Sequence, residues 1–186
     1  MKIDITLKIT PKLMKDHEAN VDRSLVGHLG THFDVMDKEF PLEYTERHGI
    51  VFDVASIRGR DIEAADIDLA RVEADMFVAF RTGFTDEEPY GTVRYFREHP
   101  QLSQELIGIL LEKKVSIIAL DCAGIRRGQE HTPADQRCAD AGVFVVEDLC
   151  RLEQLPESGT FTVHTYPMRY EGITGLPCRV VAEIVP

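Results

Sequence analysis

The stretch "LSQELIGILLEKKVSIIALD" (Leu102–Asp121) combines a helix pattern with a strand pattern and decides the fold class. Its first half is typical of an amphipathic helix, with Ser103 at the N-cap and the large apolar side chains on one face. Its second half, "VSIIALD", is almost continuously apolar, as expected of a strand that is covered on both faces. A helix that leads directly into such a strand favours a layered α/β protein.

Further strand patterns lie on both sides of this unit: "KIDITLKI", "GIVFDVAS", "ADMFVAFRTG", "VFVVED", "GTFTVHTYP" and "CRVVAEIV". The segment "TPADQRCADAG" predicts a short helix with Thr132 as N-cap, Pro133 at the first position and Gly142 after its end. Strands dominate the ends of the chain, and strands alternate with helices in the middle. We therefore expect a mixed α/β fold, and one domain over residues 1–186 because no linker or repeat interrupts the sequence.

Composition narrows the function classes. The net charge of -11 argues against nucleic acid or an anionic membrane as a partner. No apolar run is long enough to cross a bilayer, and the first residues do not form a signal peptide, so we expect a cytoplasmic protein. The four cysteines are far apart and form no C-x-x-C pair, which predicts free thiols and no thiolate zinc site. Cys122 alone follows a buried strand and is open to two interpretations, a nucleophile or a packing residue.

The segment "GHLGTHFDVMDK" (27–38) concentrates metal-ligand side chains. It could form a helix with His28 and His32 on one face, although Gly30 disfavours that. It could instead turn at Gly30 and continue as an extended piece in which His32 and Asp34 point to the same side. Imidazoles and carboxylates are common ligands of divalent cations. The alternative interpretation is a surface loop with no ligand.

A metal site would need another ligand from elsewhere in the chain. Ligands of α/β sheets gather at the carboxyl ends of strands, where this sequence has Asp53, Asp121 and Glu147. Glu147 directly follows four apolar residues. It is therefore either a metal ligand or the first solvated residue after a strand.

The same segments resemble a known family. The chain is similar to the cyclase family of metal-dependent hydrolases, which includes bacterial kynurenine formamidases and isatin hydrolases. The family signature H-x-G-T-H-x-D-x-P-x-H aligns with His28 to Lys38, and "RTGF" and "GVFVVEDLCRL" resemble later blocks in the same order. The resemblance implies an α/β swivelling-type domain with a mixed β core and flanking helices, a homodimer or homotetramer, and hydrolysis of a small-molecule linear or cyclic amide.

By this resemblance, His28, His32 and Asp34 hold a first metal ion, and Asp34 and Glu147 bridge toward a second. Zn²⁺ is the expected ion, with Mn²⁺ as the alternative. Lys38 stands where the signature has its proton-transfer histidine, so we expect either an electrostatic and proton-transfer role or a plain surface lysine.

Two other features depart from the family. Asp135 stands near the position of the family's second-metal histidine, and it also lies at the capping-box position after Thr132. Metal binding and helix capping are both open for Asp135, while His131 would reach the site only after a shift of its loop. The chain has no tryptophan, which commonly lines the kynurenine-type pocket, so we expect divergence from kynurenine formamidase.

Remaining polar residues complete the expectations. Arg81 and Arg127 are candidates for binding an acidic substrate. We interpret His48, His99 and His164 as surface or packing residues. Two functions stay open at this point: a metal-dependent amide hydrolase, or a non-catalytic relative that binds a metal or a metabolite.

Overall fold

The chain forms a mixed β-sheet with a few helices. A computed structural model describes residues 1–7 and 27–184. The strands in this part of the chain are β1 Lys2–Asp4, β2 His32–Asp34, β3 Glu46–Asp53, β4 Phe77–Arg81, β5 Ile117–Leu120, β6 Phe144–Glu147, β7 Phe161–Thr165, β8 Gly175–Pro177 and β9 Val180–Glu183. The α-helices there are α1 Phe84–Glu87, α2 Val93–Glu98, α3 Gln104–Glu112 and α4 His131–Asp140. Short 3-10 turns occupy Leu42–Thr45, Ala64–Asp66, Leu69–Arg71, Gly128–Glu130 and Leu152–Gln154.

The strands make one sheet in the order β1-β9-β7-β3-β4-β5-β6-β2-β8. The four central strands, β3 to β6, run parallel, and the strands on either side pair antiparallel. This arrangement confirms the predicted α/β class with a mixed β core. Because the carboxyl ends of β3 to β6 share one edge, the side chains that end these strands lie near one another.

Apolar layers cover both faces of the sheet. One layer packs α3 and α4 on the sheet through residues such as Leu106, Leu110 and Cys138. The other layer contains Phe33, Val146 and further residues of the outer strands. All four residues of β5 are buried, as its continuous apolar run predicts. Each large side chain buried in this way contributes roughly 1.5–3 kcal/mol to folding.

The two predicted helices differ in outcome. Helix α3 begins as expected after Ser103, whose hydroxyl accepts a hydrogen bond from the Leu106 N–H at 3.0 Å. Helix α4 begins at His131, so the prediction that Thr132 is its N-cap is wrong. The turn over Gly128–Glu130 runs into the helix and starts it earlier. Pro133 is tolerated because N–H groups in the first turn have no partner within the helix.

The ends of the sheet hold the other differences. Strand β1 covers only the first part of the predicted N-terminal strand. Beyond it, Thr6 makes an isolated bridge with Leu149, and Lys8 and Ile9 lie outside the described residues. Strand β8 was not predicted, because three residues are too few to show a pattern. Within residues 1–7 and 27–184, no helix combines the length and the apolar character that crossing a membrane requires.

Candidate metal centre

Strand β2 presents two ligand-type side chains on one face. Gly30 has a positive φ of 74°, which glycine adopts without strain, and the chain turns there before β2 begins. The turn followed by an extended piece is one of the two geometries that the sequence left open. His32 and Asp34 then point to one side of β2, while Phe33 packs in the apolar layer on the other side.

The pairing of β2 with β6 brings in the glutamate. His32 lies directly opposite Glu147 in the antiparallel register. The Nε2 atom of His32 is 4.0 Å from Glu147 Oε2 and 3.7 Å from Asp34 Oδ1. Glu147 is only 2% exposed, so the interpretation as a first solvated residue is wrong. Its carboxylate faces the two side chains of β2.

The loop before β2 adds His28. Its Nε2 atom lies 3.2 Å from Asp34 Oδ1 and 3.3 Å from the hydroxyl oxygen of Thr174. Gly175 makes this position possible, because a Cβ atom there would come within 2.5 Å of the His28 ring. The edge strand β8 therefore fixes how closely this imidazole approaches Asp34.

Helix α4 contributes from the opposite side. His131 and Asp135 are one helical turn apart and share a face, with His131 Nε2 3.5 Å from Asp135 Oδ2. His131 Nδ1 lies 4.0 Å from Glu147 Oε1, so the imidazole reaches the cluster without any shift of its loop. Asp135 is the fifth residue of α4 and is buried, and neither of its carboxylate oxygens accepts a hydrogen bond from a described residue. The capping interpretation of Asp135 is therefore wrong.

These side chains form two donor groups. The first contains His28, His32 and Asp34, and the donor atoms of the group lie within 4.8 Å of one another. The second, with the same spacing, contains Asp34, His131, Asp135 and Glu147. Asp34 belongs to both, so its carboxylate could bridge two ions.

A divalent cation fits the donor set. Asp34 Oδ2, Glu147 Oε1 and both carboxylate oxygens of Asp135 are buried and have no hydrogen-bond partner among the described residues. Burying such oxygens is costly unless a cation or a donor compensates them. Imidazole nitrogens and carboxylate oxygens are the ligands that Zn²⁺ and Mn²⁺ prefer. The orphaned oxygens therefore point inward at a place where an ion would satisfy them.

Comparison with known proteins identifies the family of this chain. The sequence profile of the family described as "Putative cyclase" matches residues 3–126, well over half of the chain. The chain belongs to this cyclase family. Comparison with curated proteins gives no match.

Solved structures share the cyclase fold. A protein described as a "potential metal-dependent hydrolase with cyclase activity" is 23% identical, with a TM-score of 0.78 over 100% of this chain and 99% of that one. A predicted metal-dependent hydrolase from Bacillus stearothermophilus is 23% identical, with a TM-score of 0.76 over 98% and 97% of the two chains. Isatin hydrolase A from Labrenzia aggregata is 21% identical, with a TM-score of 0.75 over 99% and 93%.

Without an ion, the buried carboxyl groups in the cluster of this cyclase-family chain are close enough to disfavour one another's ionisation. Burial raises the pKa of Glu147 and of Asp135 well above the usual carboxyl range, and the nearby charge of Asp34 raises both further. For Asp34, burial also raises the pKa, but the charge of His32 and the hydrogen bond from His28 outweigh it and hold the pKa well below its usual value. An incoming cation would favour the ionised form of Glu147 and Asp135, so its binding would be coupled to proton release.

A buried hydrogen-bond network supports His32. Its Nδ1 atom donates to the Gly30 carbonyl at 2.7 Å, which leaves the Nε2 lone pair for the cluster in the neutral ring. Asp148 Oδ2 lies 3.7 Å from the same Nδ1, and the Tyr95 hydroxyl donates to Asp148 Oδ1 at 2.7 Å. The Gly30 N–H in turn donates to the Tyr90 hydroxyl at 2.8 Å. Sequence reasoning missed this network, although Asp148 directly follows the candidate Glu147.

Lys38 lies outside the cluster, contrary to its expected role there. Its ammonium is 2.8 Å from Asp140 Oδ1 and 3.0 Å from Asp37 Oδ1 at the surface. The hydrogen bonds that the ammonium donates, first to Asp140 and then to Asp37, raise the pKa of Lys38, which opposes its action as a base. Asp140 is nine residues along α4 from His131, roughly 14 Å at the helical rise per residue. The surface-lysine interpretation is the one that the contacts support.

The remaining predicted residues also lie outside the two donor groups. Arg81 Nη1 forms a salt bridge with Asp53 Oδ2 at 2.8 Å, so the charges of these two strand-end residues compensate each other. The Arg127 side chain lines a separate cavity and donates to the Arg97 carbonyl at 3.3 Å. Cys122 is a buried free thiol whose pKa is raised well above its usual value by burial, which favours packing over nucleophilic attack.

Proposed function

We propose that this protein is a metal-dependent hydrolase that opens a linear or cyclic amide of a small molecule and has diverged from kynurenine formamidase. The observation that carries the proposal is the pair of donor groups that share Asp34 and contain orphaned buried carboxylate oxygens. Family membership and the resemblance in fold to isatin hydrolase A support the same reaction class.

The donor sets favour different ions. Two imidazoles and one carboxylate, from His28, His32 and Asp34, suit Zn²⁺. The second group has three carboxylates and one imidazole, and this richer oxygen set suits Mn²⁺ as well. A divalent ion in such a site polarises a carbonyl and makes water more acidic. In the overall reaction the amide C–N bond breaks, the carbonyl carbon gains the oxygen of water, and the nitrogen gains a proton.

The protein's own residues would direct the substrate and the proton. The side chains of His28 and His131 are 21% and 33% exposed, whereas the other members of the cluster are buried, so substrate would enter on the side of these two rings. His131 Nδ1 lies 3.1 Å from the Arg126 carbonyl and can donate to it, which leaves Nε2 on the cluster side. With Lys38 at the surface and only the first donor group occupied, His131 Nε2 is the group that we propose holds or passes the proton; an ion in the second group would take that lone pair as a ligand instead.

A non-catalytic function is the second candidate. The observation that favours it is Lys38, which occupies the family's proton-transfer position but pairs with Asp37 and Asp140 at the surface. On this reading the chain binds a metal or a metabolite without turning it over.

A reconstitution experiment separates the two. The full chain is stripped with a chelator, reloaded with Zn²⁺ or Mn²⁺, and assayed with N-formyl amines, isatin and small lactams, with Glu147→Gln as the matched variant. We expect metal-dependent turnover of at least one amide and its loss in Glu147→Gln. A fully loaded metal site that turns over none of these compounds would favour the non-catalytic function.

We also propose that the protein is a cytoplasmic homodimer or homotetramer without nucleic-acid or membrane partners. The net charge of -11 supports the absence of polyanionic partners. Light scattering coupled to gel filtration tests the assembly, and a monomer at micromolar concentration would contradict it.

A further inference from the structure

A cavity of about 270 Å³ is lined by residues that include none of the donor residues of the cluster. Its wall contains apolar groups from Ile57, Phe84 and Pro100, together with several arginines and His99. This volume is near the lower end of small-molecule sites, so the cavity suits a compact ligand with an apolar part.

His99 is an unusual member of this wall. It is only 1% exposed, and its Nδ1 atom hydrogen-bonds to the Pro100 carbonyl at 3.0 Å. Its Nε2 atom is buried without a hydrogen-bond partner in the described part of the chain. Burial lowers the pKa of His99 to about 4, and the charges of Arg127 and His131 act in the same direction. The ring is therefore neutral near pH 7, with its proton on Nδ1 and an acceptor lone pair on Nε2.

Arg127 is the second unusual member. Arg58 pairs with Glu87, and Arg94 pairs with Glu98, so these lining guanidinium groups are already neutralised. Arg127 makes no ion pair within the described residues, and its Nη1 atom contacts only a carbonyl at 3.3 Å. Among the residues that line the cavity, the Arg127 guanidinium and the buried His99 Nε2 are therefore both uncompensated.

We propose that this cavity binds a small carboxylate that also carries a neutral N–H or O–H donor. The carboxylate would accept hydrogen bonds from the Arg127 guanidinium, and the donor would bind His99 Nε2. Hydrolysis of a cyclic amide of an aromatic amine leaves a carboxylate and a neutral N–H on one molecule. The link to such a product rests on the proposed function, whereas binding to the cavity does not require the metal.

Three related probes test the two contacts separately. 3-Hydroxybenzoate has both groups, benzoate lacks the donor, and phenol lacks the carboxylate. Each is titrated into the full chain with metal removed by a chelator, and binding is followed by calorimetry or ligand-observed NMR. We expect 3-hydroxybenzoate to bind about tenfold tighter than benzoate, the scale of one hydrogen bond, and phenol to bind more weakly still. Equal affinities for the three probes, or no binding at millimolar concentration, would overturn the proposal.

Variants assign the contacts to residues. Arg127→Gln should weaken both carboxylates about tenfold, and His99→Leu should remove the advantage of the hydroxyl group. Arg60→Gln is the matched control, because Arg60 also lines the cavity but is held by Asp66 through two hydrogen bonds of 2.6 Å, and we expect less than a twofold change.

Should His99→Leu unfold, Arg127→Gln still decides the matter, because an unchanged affinity for benzoate would refute the assigned anion contact. Amide turnover with no probe binding refutes only the cavity, and probe binding with no turnover refutes only the hydrolase.

Discussion

Asp121 and Glu147 are buried carboxylates at the ends of neighbouring parallel strands, yet their surroundings are opposite. Asp121 accepts hydrogen bonds from the Thr82 N–H at 2.8 Å, the Thr82 hydroxyl at 2.5 Å and the Gly83 N–H at 2.8 Å. Glu147 has a buried oxygen, Oε1, without any hydrogen-bond partner among the described residues. Burial raises the pKa of both carboxyls, but the hydrogen bonds of Asp121 counteract that effect, while the charge of Asp34 adds to it for Glu147.

This difference separates a structural carboxylate from a candidate ligand. Asp121 joins the end of β5 to the residues after β4, and its oxygens are occupied by protein donors. Glu147 faces other ligand-type groups, and only an added cation or proton can compensate it. Burial and position at a strand end are common to both, so the number of protein donors is what distinguishes their roles.

The largest expected effect comes from a separate substitution at each of these two residues. Glu147→Gln should weaken Zn²⁺ binding by at least about 100-fold, because outer-shell changes alone cost up to that much, and should alter stability little in the metal-free protein. Asp121→Asn should leave Zn²⁺ affinity within about threefold but cost roughly 1–3 kcal/mol of unfolding free energy, because an amide cannot accept all three hydrogen bonds. Competition with a chromophoric chelator and urea denaturation measure the two quantities. The reverse pattern would refute the distinction.

The pH dependence of the metal-free protein tests the electrostatics of the cluster around Glu147. The pKa of Asp148 is raised from 3.8 to about 7, chiefly by burial. For His32, burial lowers the pKa, but the charge of Asp34 outweighs it and raises the pKa from 6.5 to about 9. Both groups bind their proton more tightly when folded, so stability is full below the unfolded pKa and is lost as pH rises through the folded one.

We therefore expect the melting temperature in chelator to fall between pH 5 and pH 9. Zn²⁺ at 100 times its dissociation constant should add about 2.7 kcal/mol, or roughly 5–10 °C for a chain of this size, at the upper end of that range. Differential scanning calorimetry with and without chelator measures both effects. A metal-free protein that becomes more stable toward pH 9 would contradict the assigned shifts.

A smaller effect is expected for the support of His32. Tyr95→Phe removes the hydroxyl that donates to Asp148 and should weaken Zn²⁺ binding about tenfold, with a loss of about 1 kcal/mol in stability. Tyr44→Phe is the matched control, because its hydroxyl donates to the Gly142 carbonyl at 3.0 Å outside the cluster. The control should lose similar stability and keep its Zn²⁺ affinity. Equal Zn²⁺ affinities in the two variants would show that Tyr95 has no role in positioning the ligand.

The smallest effect is expected at Lys38. Lys38→Ala removes exposed ion pairs with Asp37 and Asp140, which solvent screens, and should leave Zn²⁺ affinity and amide turnover within about twofold. Steady-state kinetics of the reloaded variant measures this. A loss of turnover with an intact metal site would instead show that Lys38 takes part in catalysis.

Part of the candidate site could be predicted locally. A turn at Gly30 followed by a strand with His32 and Asp34 on one face involves only neighbouring residues, and the structure has this turn and this strand. The pairing of His131 with Asp135 could have been found from their helical spacing, but the helix was predicted to begin at Pro133, two residues too late. Neither Tyr95 nor the orphaned Nε2 of His99 has a sequence signal, because each depends on contacts made by the folded chain.

The sequence by itself determined the α/β class, the apolar strand and helix of Leu102–Asp121, and the ligand-type side chains of β2, because these follow from local periodicity. Only the tertiary structure decided that β2 pairs with β6 so that His32 faces Glu147, and that Asp140 holds Lys38 at the surface. Each of these contacts joins residues about a hundred positions apart. Their register is set by the packing of the whole sheet, which no local pattern specifies.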